Sequence, residues 1–291
     1  MATLAICRTF ADTGVRGALY RSHDRFSSVL SAISPLHDPS VGFRIFSAMT
    51  VVVSSSVARQ KLFAMIEFHA PAADAPQLAL SPLHRAAMLT LRHLVEVGPI
   101  ELTPNRALKR YFVTWAAEAF NWPGYTADEL DAINKVLNEH DFPPLVVLHE
   151  LLLAAKLARH RKGLLHITKI GKDLLEHPAS LWITLAQHLL LSAGQDDMLE
   201  IEWVSVLNAV NSEAHSGVTD HQFCARLTGS TGKNYHIKSL VYVHVLRPLC
   251  WLGLLHETRQ NQTERFFTKT ALWSLALTFE GSSHLSSATK H

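Results

Sequence analysis

Arg159, His160, Arg161 and Lys162 stand in one unbroken run, with Lys169 and Lys172 a few residues on. Guanidinium and ammonium groups this close suit one task above others, neutralising the oxygens of a phosphate backbone. Arg106, Lys109 and Arg110 form a second group. Their i, i+3, i+4 spacing puts them on one face if the segment is helical. DNA-binding proteins that recognise a site commonly make about 6–10 phosphate contacts, and the two groups together approach that number. The residues expected to bind nucleic acid are therefore Arg106, Lys109, Arg110, Arg159, Arg161, Lys162 and Lys169.

Two features oppose that expectation. Residues 79–178 hold 12 basic and 11 acidic side chains, so the surrounding region is not basic as a whole. The stretch just before the basic run, 145–158, has only His149, Glu150 and Lys156 among otherwise apolar residues. Reading a base edge needs well-placed polar donors and acceptors, and three such residues are a poor set. The plain alternative is a solvated, charged turn.

Other chemistries find less support. His149-Glu150 begins like a zinc-protease helix, but position 153 is Leu153 where the second histidine would stand. His215, His221 and Cys224 amount to half a zinc site without a completing pair. Gly229-Ser230-Thr231-Gly232-Lys233 lacks the spacing and the preceding strand of a phosphate loop, and reads as a turn. The 18 histidines are scattered and share no evident task. The sequence points to no catalytic residue, metal ligand, cofactor or small-molecule ligand, so a non-enzymatic protein is expected.

The elements that must position the basic residues follow from capping and periodicity. Pro143 and Pro144 suit a first helical turn, where a missing N–H costs nothing. The helix they open is apolar around most of its circumference and must pack on two sides, yet its polar residues come too early for a membrane span. Leu157–His160 and Leu164–Thr168 read as two strands joined at Arg161-Lys162-Gly163, with Gly163 supplying a positive φ. Thr168 caps a helix that stops at Pro178. Upstream, Ser81-Pro82 opens a helix ending at Gly98-Pro99, and Ile100–Leu102 is a short strand. Thr103-Pro104 is expected to open a helix through Phe112 and Trp115, and the capping box Thr126/Glu129 another that runs to about His140.

The same order returns after a helix at Ala179–Ala193 and a break at Gly194–Asp197. It comprises a helix to Asn211, a capping box at Thr219/Gln222, and an apolar helix over Tyr235–Leu252 bent near Pro248. A hairpin of Leu254–Glu257 with Thr263–Thr268 and a helix over Lys269–Phe279 follow. Thr168 and Thr268 lie about 100 residues apart at matching points. The second copy has Ala271 where the first has Gly171, and its hairpin carries only Arg259 and Arg265.

The expected fold is mainly α, as two tandem winged-helix-like domains each with a small β-hairpin wing, at 79–193 and 194–280. Residues 281–291 form a polar tail, read as disordered. Residues 1–78, rich in Arg and Ser, read as a disordered extension, a targeting segment, or sequence ahead of the true start at Met49 or Met65. A net charge of +2 over 291 residues excludes a domain-wide basic field. Three cysteines without a CxxC pair fit reduced thiols and a cytoplasmic setting.

At LTPNRALKRYFV, LNEHDFPPLVVLHELL and RHRKGLLHITKIGKDLL, the chain resembles a group of uncharacterised bacterial proteins associated with plasmids and insertion elements. These are the helical regions that occur alone or beside Ri-plasmid open-reading-frame-three-like domains, a domain not recognised in this sequence. The likeness covers about residues 80–280 and is more specific in its first half. It implies a winged-helix-like fold and a mobile-element-linked role, and it carries over no catalytic residues. The partners expected are DNA or, as the alternative, a protein or second copy of the chain held without nucleic acid. The aromatic residues Tyr242, Trp251, Phe266, Phe267 and Trp273 would suit that second case or a core.

Overall fold

A computed structural model describes residues 66–193, 207–228, 238–239, 241–259 and 264–279. The expected tail at 281–291, the Gly-rich turn at 229–233 and most of the 1–78 extension lie outside them. The chain divides into two units: the described residues of the first are 82–188, and those of the second are 66–81 and the described part of 189–279. Both are mostly helical, with small antiparallel sheets. Among the described residues, no helix is long and apolar enough to cross a membrane.

The described chain opens with β1 (Ile66–Phe68) and a 3-10 turn (Pro76–Leu80). The sequence placed the start of folded chain near Ser81, so this segment enlarges the second unit, to which it belongs. Ser81 itself is buried, and its hydroxyl donates to the Trp251 carbonyl at 3.1 Å, within the same unit.

The first unit begins with α1 (Pro82–Glu96), whose apolar stripe buries Leu83, Ala87, Leu91 and Leu94. The chain reverses at Gly98, φ 116°, into β2 (Ile100–Glu101). The helix expected from Thr103 does not form there. Thr103 N–H donates to Ala107 O and Arg106 N–H to Thr103 O, while Leu102 bridges Leu108, so 103–108 is a looped turn. Arg106 sits in it at φ 61°, and the helix, α2 (Arg110–Phe120), starts only after Lys109. Closing the apolar pair Leu102 and Leu108, 7% and 3% exposed, outweighs the capping signal of Thr103-Pro104.

The Thr126/Glu129 capping box is present, yet α3 (Ala127–Asp131) is far shorter than the helix expected to reach His140. A 3-10 turn at Glu139–Asp141 leads into α4 (Pro143–Ala154), with proline in its first turn. Then come the hairpin β3 (Ala158–Arg161) and β4 (Leu164–Ile167), and α5 (Lys169–Leu175) capped by Thr168. The last helix, α6 (Pro178–Ala193), starts on Pro178 itself. The sheet order is β2–β4–β3, all antiparallel. Gly171 lets α5 close on this sheet, since a Cβ there would stand 2.2 Å from the Leu157 carbonyl oxygen.

The second unit repeats the order with its own details. Residues 207–213 are helical, β5 (Val218–Thr219) follows, and the Thr219/Gln222 box caps α7 (Asp220–Thr228). The expected bend near Pro248 appears as a π-helical segment, Tyr242–Leu246, running into α8 (Arg247–Trp251). Pro248 has no N–H for an i→i−4 bond, which favours a widened turn just before it. The hairpin is β6 (Leu255–Arg259) with β7 (Arg265–Lys269), in sheet order β5–β7–β6. The helix expected over Lys269–Phe279 is shorter, as α9 (Ala271–Ala276) gives way to β8 (Leu277–Phe279), which pairs with β1.

The helix–hairpin junctions align the two units. Leu157 N–H donates to Leu152 O and Leu254 N–H to Leu249 O; Thr168 N–H donates to Leu157 O and Thr270 N–H to Leu254 O. Thr270 caps α9, so it and not Thr268 matches Thr168. Counted from those caps, Gly171 corresponds to Trp273 rather than to Ala271.

Candidate nucleic-acid interface

The first hairpin presents its cations because strand pleating separates two faces. Ile100, Leu165 and His160 form one cross-strand row, and the first two are fully buried. That row faces the core. Arg159 pairs with His166, and Arg161 with Leu164, which in turn pairs with Glu101, so these side chains share the opposite, outer face. Arg159 and Arg161 are exposed. At the tip, Lys162 and Gly163 take φ 50° and 74°, the double positive φ of a tight type I′ reversal. Among the described residues, the side chains of Arg159, Arg161 and Lys162 make no ion pair. Lys169, the first residue of α5, is exposed beside them in sequence.

The second basic group is arranged differently from the shared helix face that the spacing implied. Arg106 lies in the 103–108 turn, Lys109 caps α2 from an extended conformation, and only Arg110 is helical. Lys109 pairs with Glu101, and Arg110 Nε donates to Asn138 Oδ1 at 2.9 Å. Of the three, Arg106 alone is exposed with no side-chain partner among the described residues. Its turn is nevertheless drawn to the hairpin tip, because Leu102 N–H donates to Gly163 O at 2.9 Å. Five of the seven expected residues, Arg106, Arg159, Arg161, Lys162 and Lys169, are thus left open to a polyanion.

Helix α4, which lies under the hairpin, offers little for base reading. Residues 143–149, 151 and 152 are all buried, leaving Glu150 part-exposed and Lys156 exposed beyond the helix end. Its burial does hold a polar cluster that sequence reasoning missed. Glu139 is 5% exposed; its carboxylate accepts from Leu108 N–H at 2.6 Å and lies 2.6 Å from His149 Nδ1. An ionised carboxylate only accepts, so Nδ1 carries the proton. His149 Nε2 then meets His160 Nε2 at 2.9 Å. The chain of contacts runs from the 103–108 turn through α4 to the inner face of the hairpin. No spacing rule links positions 108, 139, 149 and 160, so only the fold brings them together.

The second hairpin lacks an equivalent cationic face. Arg259 lies 3.8 Å from Glu257. Arg265 lies 3.4 Å from Glu257 and 3.6 Å from Asp220, with its guanidinium 3.8 Å above the Tyr242 ring. Both arginines expected there are spent within the unit. Among the described residues, no group of three His, Cys, Asp or Glu side chains could hold a metal ion.

Residues 79–180 match the Y4jL N-terminal domain family, and residues 193–271 match the y4jL C-terminal domain family. The uncharacterized protein y4jL of Sinorhizobium fredii (strain NBRC 101917 / NGR234) is 38% identical over 151 residues, covering 50% of this chain and 69% of that protein. No solved structure matches the chain.

Proposed function

This chain belongs to the y4jL family, and we propose that it is a non-enzymatic DNA-binding protein that holds the phosphate backbone through its first hairpin. The observation that carries this reading is the outer face of β3, where exposed Arg159 and Arg161 flank the Lys162 tip without ion-pair partners among the described residues. The sheet order, in which the first strand pairs with the far strand of a hairpin, supports reading each unit as winged-helix-like with the hairpin as wing. Because α4 has almost no polar surface, binding is through phosphates and sequence discrimination is weak. The mobile-element link and the cytoplasmic setting belong to the same proposal.

The test is binding of the full chain to a random-sequence duplex, followed by fluorescence anisotropy across a salt series. Affinity should fall steeply with salt. Replacing Arg159, Arg161 and Lys162 together by Ala should flatten the slope of log K against log salt by roughly 2–3, at about 0.9 for each phosphate no longer neutralised. A slope unchanged by the triple substitution refutes the hairpin assignment. No binding even at low salt, with a concentration-dependent oligomer instead, moves the function to protein association.

A further inference from the structure

In the second unit a buried positive charge has no carboxylate partner among the described residues. Arg247, at the start of α8, is 4% exposed. Its Nε and Nη1 are buried and find no hydrogen-bond acceptor there. A guanidinium does not shed its proton at any pH a protein survives, so this charge cannot be neutralised the way a buried lysine or carboxyl group can. The indole of Trp251 lies 4.9 Å from the guanidinium carbon. A π cloud attracts the face of the cation, whereas the N–H donors point outward in its plane, so stacking leaves them unmet.

Two carboxylates of the unit, Asp220 and Glu257, already stand against other cations. Asp220, 1% exposed, is 3.1 Å from Lys238 and 3.6 Å from Arg265. Glu257 lies within 3.4–3.8 Å of Arg265 and Arg259 and accepts from the Tyr242 hydroxyl at 3.1 Å. His244 offers no negative charge, and burial together with the neighbouring Arg247 charge lowers it to about 4, so it is neutral near pH 7. The Cys250 thiol is raised well above its usual range by burial, so it is protonated there too.

The backbone is unusual at the same place. Tyr242–Leu246, directly ahead of Arg247, is wound as a π-helix, a rare form that concentrates at functional sites. The matching stretch of the first unit, within α4, is ordinary α-helix. Counted back from Leu157 and Leu254, the residue there that corresponds to Arg247 is Glu150, of opposite charge. The feature is particular to the second unit.

We propose that Arg247 is the centre of an anion-binding site in the second unit, which takes a ligand bearing a carboxylate or phosphate oxyanion against the buried guanidinium. The ligand oxygen supplies the acceptors that Nε and Nη1 lack. Its charge offsets a buried cation that has no counter-charge among the described residues, a state that destabilises a fold strongly.

The experiment is thermal unfolding of the full chain in potassium phosphate, potassium succinate and potassium chloride at matched ionic strength, for wild type and for Arg247→Met. At a hundredfold excess over Kd, wild type should gain roughly 5–10 °C in at least one oxyanion relative to chloride, and the gain should saturate. Arg247→Met, which removes the charge and keeps the bulk, should show no such gain while unfolding no lower than wild type in chloride. Phosphate and succinate also stabilise proteins by exclusion from their surface, which would raise both chains equally and without saturation. Equal gains in both chains overturn the proposal, as does the absence of a gain from either oxyanion in wild type. Calorimetric titration of wild type with the same two salts decides the matter should the variant fail to fold: saturable heat supports the site, and none overturns it.

Discussion

Substitution of Glu139 measures how much the buried polar cluster contributes to the first unit. In Glu139→Ala, the Leu108 N–H loses an acceptor at 2.6 Å and the His149 imidazole loses one at 2.6 Å, both in a region sealed from water. Leaving a buried donor unmet costs roughly 1–3 kcal/mol, and two donors lose their acceptor here. The expected loss is therefore about 4 kcal/mol, a large share of the stability of an ordinary domain. Glu139→Gln keeps one acceptor oxygen and the shape of the side chain. It should cost less, about 1–2 kcal/mol, because only one of the two donors is then unmet. Denaturant unfolding of the full chain reads both values, as a lowered midpoint at unchanged slope. Amide hydrogen exchange adds the spatial consequence. His149 Nε2 reaches His160 on the hairpin at 2.9 Å, so amides of β3 and β4 should lose protection in Glu139→Ala well before those of α6. A cost under about 1 kcal/mol for the alanine variant, or equal costs for the two variants, refutes the reasoning.

Two further outcomes follow from single side chains. Burial holds His84 in the first unit and His244 in the second at about 4, against 6.5 for an ordinary histidine. Between those values the unfolded chain takes up protons that the folded units refuse, so stability rises with pH through the window and is lost as pH falls from about 6.5 to 4. A drop of that size is worth about 3 kcal/mol for each histidine, and His84→Phe or His244→Phe should flatten the pH dependence of denaturant midpoints over that range. Lys156 sits at φ 57° where the second unit has Gly253 at φ 76°, so Lys156→Gly should relieve a left-handed strain. It should stabilise the first unit by about 1 kcal/mol, read as a raised Tm, and a lowered Tm would show that the lysine side chain matters more than its backbone.

What the sequence determined by itself is local. Thr126 with Glu129, and Thr219 with Gln222, meet three residues apart on the first turn of a helix, and both reciprocal pairs form as read. The first hairpin is equally legible, because Gly163 supplies a positive φ for the tight reversal between two apolar-containing strands. The cationic outer face of β3 depends on a difference from that reading, since Arg161 belongs to the strand, paired with Leu164, and not to the turn. Tertiary structure decided the rest, wherever partners distant along the chain outbid a local signal. Thr103-Pro104 is a sound helix start, yet the Leu102–Leu108 bridge and the Leu102–Gly163 hydrogen bond pull those residues into a turn, and the shared face of Arg106, Lys109 and Arg110 goes with the helix. Phe279 reads as the end of a helix until Ile66, from more than two hundred residues upstream, pairs with it as strand. The Glu139–His149–His160 contacts, and the buried Arg247 Nε and Nη1 without an acceptor among the described residues, are beyond any pattern of spacing. Whether a buried charge has a partner depends on which side chains the fold sets within about 3 Å of it, and sequence separation does not specify that distance.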